Sequence, residues 1–306
     1  MPIMDGISLI KEIHKISEDQ SIIVVSAYNE SSRLIDLIHE GITNFVMKPI
    51  APIQLMTMLH KTSKHICSQK QLQQYRLELE NCNIDLDAKV QEQAKEIRFT
   101  QQLSIETIAN MVESYDDETG THVKRIEGYT QLLLDKIPLS DECPIELRES
   151  VAFASILHDI GKLMIPKNIL TKPASLNYEE FETIKTHAKL GGEVLQKANI
   201  SFSKQFNKDS FLKVASDIAM YHHEKWDGSG YPEGLKGSKI PKCARIVSIA
   251  DVYDALRSKR VYKEGFTHAK SIEIIKQESG KSFDPTLVEI FLELEDQFDE
   301  IFNRLG

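Results

Sequence analysis

The chain has 306 residues, 41% hydrophobic and 27% charged, which is the size of about two domains and a balance ordinary for soluble globular proteins. Its formal net charge of −9 argues against non-specific binding to nucleic acid, and it has no run of about 18 apolar residues to span a membrane. An anionic substrate would need a local concentration of Lys, Arg or metal ions.

The N-terminus, Met1-Pro2-Ile3-Met4-Asp5-Gly6, has no basic stretch ahead of an apolar one, so no signal peptide is expected. The cysteines Cys67, Cys82, Cys143 and Cys243 show no Cys-x-x-Cys spacing, which fits a reducing cytoplasm. Residues 1–62 read as α/β. Ile7, Ile10 and Ile13 keep a helical period, and Ser21 to Ser26 is a β-branched run suited to a buried parallel strand. Ser31 to Glu40 is expected to be helical, with Gly41 where a C-cap belongs. Asn44 to Met47 reads as a second strand, ended by Lys48-Pro49, and a further helix starts near Pro52.

Residues 63–105 are rich in Gln, Glu, Lys and Leu, and neither Gly nor Pro occurs between Pro52 and Gly120. Leu72, Leu79 and Leu86 are seven apart, and after a four-residue step Val90 and Ile97 resume that spacing. The pattern predicts one long linker helix forming a parallel coiled coil with a stutter at the step, weakened by Asn83 and Gln93. A homodimer through this helix is expected. Residues 106–306 are expected to be all-helical, with apolar residues three and four apart from Leu103 to Val112, Tyr129 to Leu134, Val151 to Leu157, Phe181 to Ile184, Phe211 to Tyr221 and Ala244 to Leu256. Asp227 to Gly237, rich in Gly and Pro, must be a loop.

Five of the ten histidines, His122, His158, His187, His222 and His223, lie in this helical region beside acidic residues or glycines. A single helical histidine is more often a surface or satisfied core residue, so the weight rests on the set. Glu118 and His122, four apart, would share one helix face and can share a metal cluster. His158-Asp159 ends the apolar run from Val151 to Leu157, where an unpaired aspartate would cost on the order of several kcal/mol unless a metal takes it. Gly161 allows close backbone approach, and Lys162 offers a point charge for phosphate. Read on a helix, His222 and His223 point about 100° apart and can serve different metals. Asp251 lies inside the apolar run from Ile246 to Val252 and needs a partner. Asp254, one turn on, can orient a ligand from behind.

His122, His158-Asp159 and Asp251 resemble the HD superfamily of metal-dependent phosphohydrolases. His222-His223-Glu224, followed by Asp227-Gly228-Ser229-Gly230-Tyr231-Pro232, looks like the signature of its HD-GYP branch, the likeness covering about residues 106 to 290. The resemblance implies an all-helical domain, a centre of two or three iron or manganese ions, and hydrolysis of cyclic di-GMP. Carried over residue by residue, it implies metal ligation by Glu118, His122, His158, Asp159, His187, His222, His223 and Asp251. It implies phosphate contacts from Lys162, Arg260 and Lys263, and nucleotide contacts from Gly230, Tyr231 and Pro232. Val261 stands where the family more often has Pro. Met1-Pro2-Ile3-Met4-Asp5-Gly6, Ser26-Ala27 and Lys48-Pro49 look like the second half of a response-regulator receiver domain. The phosphorylated Asp of that family would precede residue 1, so no phosphoacceptor is expected.

These features imply direct attack of an activated water on phosphorus, in line with the 3′ leaving oxygen, with Asp159 and Lys162 catalytic. The products would be pGpG, GMP or both. Eight ligand positions suit three ions better than two. A second reading is a non-catalytic sensor or docking module for cyclic di-GMP or a diguanylate cyclase. Such modules usually lose a His or Asp, and none is lost here. A third is a phosphodiesterase for a hybrid cyclic dinucleotide, which the loop does not distinguish. The fold class expected is mostly α: a partial receiver-like segment (1–62), a linker helix (63–105) and an HD-GYP domain (106–306), in the cytoplasm.

Overall fold

The structure, a computed structural model, describes residues 4–17, 20–27, 35, 37–39, 42, 44–116, 121–138, 145–259 and 265–305, without the side chains of 145–147 and 149. The chain divides into two units, Met1–Glu96 and Ile97–Gly306.

In the first unit, helix α1 (Gly6–Ile16) begins where the Asp5 side chain accepts the Ser8 N–H at 2.8 Å, an N-cap bond. Its Ile10 is buried with Leu37 and Ile42, against Ile7, Ile22 and Val24. Strands β1 (Ile23–Ser26) and β2 (Asn44–Met47) pair in parallel, Val24 opposite Phe45. The helix expected over 31–40 falls mostly outside the described residues, as does Gly41.

Helix α2 (Pro52–Tyr115) runs unbroken for 64 residues and contains the whole expected linker. Leu72, Leu79, Leu86, Val90 and Ile97 are each more than half exposed on it.

The second unit is built from α3 (His122–Lys136), α4 (Ile145–Ser155), a 3-10 turn (Ile160–Met164), α5 (Lys167–Leu170), α6 (Tyr178–Phe206) and α7 (Phe211–Tyr221). A second 3-10 turn (Gly237–Lys239), α8 (Lys242–Arg257), α9 (His268–Gln277), α10 (Pro285–Glu293) and α11 (Glu295–Leu305) complete it. The mostly-α expectation therefore holds. Local chemistry sets the boundaries: α6 opens on a capping box between Asn177 and Glu180, and α7 on the Ser210 hydroxyl, which accepts from the Leu212 N–H. α8 is the central helix, buried on nearly every side from Cys243 to Asp254. Tyr129 of α3, Tyr253 of α8, Phe291 of α10 and Phe298 of α11 meet in one aromatic cluster. Phe298 stacks on Tyr129 with ring centroids 4.6 Å apart and meets Phe291 edge-on at 4.8 Å. This cluster locks α3 against α8, and each carries candidate ligands. Among the described residues, no helix is long and apolar enough to cross a membrane.

Phe298 is fully buried at the centre of this cluster. Phe298→Ala is expected to destabilise the second unit by about 3–5 kcal/mol, read by chemical denaturation. A loss below about 1 kcal/mol would mean that the cluster does not hold these helices together.

Candidate metal centre

The site is assembled mostly at helix ends. After Ser155 the chain turns through His158 and Asp159 into the 3-10 turn. That turn presses onto α6 so closely that a Cβ on Gly161 would lie 2.0 Å from the His187 carbonyl oxygen. Glycine alone fits, and the contact brings Asp159 beside His187. His222 caps the C-terminus of α7, and His223 follows it. His122 is the first residue of α3, and Asp251 lies inside α8. Side-chain atoms of Asp159, His187, His222 and His223 lie within 4.8 Å of one another, and those of His122, His158 and Asp251 form a second such group.

His187 Nε2 lies 3.2 Å from Asp159 Oδ1, and His158 Nε2 lies 3.3 Å from Asp159 Oδ2. Asp159 thus faces both groups. His122 Nε2 and His158 Nε2 lie 3.8 and 3.9 Å from Asp251 Oδ1. The opposite ring nitrogens are tied back: Nδ1 of His158 donates to Ser155 O at 2.9 Å, of His187 to Ile184 O at 2.7 Å, and of His222 to Ile218 O at 3.0 Å. A carbonyl only accepts, so Nδ1 carries the proton and Nε2 offers its lone pair to the centre. The Nε2 atoms of these three rings and Asp159 Oδ1 are buried without a hydrogen-bond partner. Buried polar atoms are costly when unsatisfied. The Nε2 atoms of His187 and His222 meet Asp159 Oδ1 in one group and that of His158 belongs to the other, and imidazole with carboxylate suits a divalent transition metal.

The electrostatics agree. Burial, then His223 and His158, hold the His222 pKa well below its usual value, and burial with His187 lowers that of His223 to about 4. Both rings are therefore neutral, as ligation requires. His158 is the exception: burial alone would lower its pKa, but Asp159 and Asp251 outweigh it and raise it to about 9, so a metal bound there would displace its Nε2 proton. Asp159 is held well below the usual carboxylate range because Lys162 and His158 overcome its burial.

Four supporting residues escaped the sequence reading. Asp254 Oδ2 lies 2.8 Å from His122 Nδ1, and Arg125 grips Asp254 through Nε at 2.6 Å and through its terminal nitrogen at 2.8 Å. Asp254 was expected behind a ligand, but Arg125 was not. Lys162 Nζ lies 2.5 Å from Asp116 Oδ2 and 2.8 Å from Asp159 Oδ2. Asp116 was not singled out in the sequence, and its side chain is only 14% exposed. The Glu224 carboxylate accepts the N–H groups of Glu233, Gly234 and Leu235 at 2.7 to 3.0 Å, which shapes the loop. Lys185 Nζ lies 5.6 Å from the Tyr231 ring centroid.

A Cβ on Gly230 would fall 2.3 Å from Lys225 N, and the Tyr231 ring, next to Pro232, sits 4.8 Å from that of His223. His222 and His223 differ from their expected placement. α7 ends at Tyr221, the two ring centroids are 3.9 Å apart, and both rings join one group with Asp159 and His187. Glu118, Arg260, Val261 and Lys263 lie outside the described residues, and α3 begins only at His122.

Asp254 supplies a test in acid. Burial would raise its pKa, but Arg125 and His122 overcome this and lower it from 3.8 to about 2. A depressed carboxylate stabilises the fold fully above its unfolded pKa and loses that contribution as pH falls through the folded value. About 2 kcal/mol is therefore expected to disappear between about pH 4 and pH 2. Denaturation of metal-free protein should show a shallower acid loss in Asp254→Asn than in the parent, and equal slopes would refute the assignment.

Residues 106–287 match the family model of the HD domain, and residues 1–60 match that of the response regulator receiver domain. Over its whole length the chain is 36% identical to a probable cyclic di-GMP phosphodiesterase of Vibrio cholerae, covering 68% of that protein. It is 31% identical, again over its whole length, to the cyclic di-GMP phosphodiesterase response regulator RpfG of Xanthomonas campestris, covering 76% of it. Over 73% of the chain it is 38% identical to 3′3′-cGAMP-specific phosphodiesterase 2 of Vibrio cholerae, covering 39% of that relative. The chain belongs to the HD domain family, as a phosphodiesterase that carries receiver-like sequence ahead of its HD domain.

Proposed function

We propose that the chain hydrolyses the phosphodiester bonds of cyclic di-GMP to pGpG, GMP or both. The observation that carries this reading is that the unpartnered Nε2 atoms of His187 and His222 meet Asp159 Oδ1 in one group, while that of His158 faces Asp159 Oδ2 from the other. In this reading Asp159 bridges the two groups, with His187, His222 and His223 on one side and His122, His158 and Asp251 on the other. Divalent cations held there supply Lewis acidity, polarising a phosphodiester and making a water acidic enough to attack near neutral pH. Lys162, held by Asp116 and Asp159, presents its ammonium to a phosphate oxygen and to the developing charge on the leaving group. Arg260 and Lys263 neutralise the remaining non-bridging oxygens. Tyr231 roofs His223 and offers its open face to a base, and Gly230 and Pro232 shape that wall. A hybrid cyclic dinucleotide is the second reading, favoured by the likeness to a 3′3′-cGAMP-specific enzyme.

Iron or manganese suits this mixed imidazole and carboxylate set. With Glu118 as a further ligand the centre takes three ions. The exposed seam of α2 supports a parallel homodimer. The four-residue step from Leu86 to Val90 is the ordinary spacing between the two core positions of a heptad, so the seam keeps phase without the expected stutter.

Purified protein loaded with Fe(II) or Mn(II) should convert cyclic di-GMP to linear products, followed by chromatography, and chelation should abolish turnover. Asp159→Ala should lose more than the roughly hundredfold that removing an outer-shell partner costs. Turnover surviving either treatment would rule out the mechanism. Metal analysis should give about three ions per chain, and about two in Glu118→Ala. Two ions in both would remove Glu118 from the centre.

A further inference from the structure

Helix α3 presents His122 from its first position, yet its own N-cap residue does not cap it. Thr121 makes no side-chain cap bond, and its hydroxyl instead accepts from Arg125 at 2.7 Å. The cap comes from another helix: the Val123 N–H donates to Glu113 Oε1 at 2.7 Å. Glu113 sits in the last turn of α2 and is 5% exposed. A negative carboxylate there satisfies a donor that the helix cannot satisfy itself, and it complements the positive end of the helix. The same turn makes two further ties. Tyr115 donates its hydroxyl to Ile165 O at 3.2 Å, just past the 3-10 turn, and Asp116, the next residue, pairs with Lys162. The end of α2 thus grips both segments that frame the centre.

We infer that Glu113 is a positioning residue for the metal centre. Its carboxylate oxygen fixes the first turn of α3 and thereby the place at which His122 offers Nε2. This rests on reading His122 as a metal ligand. Because the grip comes from α2, a shift of that helix along its axis would move His122 and Lys162 together.

The test uses the full chain and two variants that separate reach from charge. Glu113→Gln keeps the length and an acceptor oxygen but loses the charge. Glu113→Asp keeps the charge but withdraws the oxygen by one methylene. Mn(II) affinity is measured by competition with a chelating dye, and kcat and KM are measured with cyclic di-GMP. Glu113→Gln should stay within about threefold of the parent, whereas Glu113→Asp should lose about tenfold or more in Mn(II) affinity and in kcat, with KM little changed. Equal behaviour of the two variants, or retention by Glu113→Asp with loss in Glu113→Gln, would overturn the inference. If the parent binds Mn(II) but does not cleave cyclic di-GMP, the proposed function fails. The affinity contrast between the variants still decides the role of Glu113.

Discussion

Polar atoms gathered in a buried helical core constrain everything else in this unit. Three imidazole Nε2 atoms without hydrogen-bond partners surround the Asp159 carboxylate, His187 and His222 at Oδ1 and His158 at Oδ2. Such a cluster would be strongly unfavourable unless a cation completes it. The surrounding structure holds it in place nonetheless. Gly161 lets one helix sink onto another, the aromatic cluster locks α3 to α8, and Arg125 with Asp254 keeps His122 aimed.

The placement of ligands at helix ends follows from the same constraint. The last carbonyls of an α-helix lack intrahelical donors. His158 and His222 use them: each Nδ1–H donates to a carbonyl in the final turn of α4 or α7. One bond satisfies an orphan carbonyl, fixes the tautomer and turns Nε2 toward the centre. His187 obtains the same result inside α6 from Ile184 O. Asp251 instead comes from the middle of the most buried helix.

The seven candidate ligands that the structure brings into two groups stood out in the sequence because their chemistry is local. Histidines and aspartates at the ends of apolar runs look anomalous in sequence, and the anomaly survives folding. The same holds for α7, whose predicted span from Phe211 to Tyr221 matches because its periodicity stops where the helix does. The placement of His222 and His223 on that helix was wrong because no Gly or Pro appears before Gly228 to mark its end. Glu113, Asp116, Arg125 and Glu224 were not legible in their roles. A charged residue at an ordinary helical position looks solvated until its distant partner is known, and the partners here are Val123, Lys162, Asp254 and a loop. Their work exists only in three dimensions.

The charges near Lys162 decide what the site can attract. Lys162 lies between Asp116 and Asp159, so the trio carries one net negative charge. Asp251 adds another, neutral His222 and His223 add none, and His158, raised to about 9, returns one positive charge. A cyclic dinucleotide bears two phosphate charges, and the whole chain is at −9. In a low-dielectric pocket like charges repel strongly, so Lys162 alone cannot draw a dianion in. Cations seated on the imidazoles and carboxylates would supply that attraction. Electrostatics would then order binding, cations first and a phosphodiester dianion second.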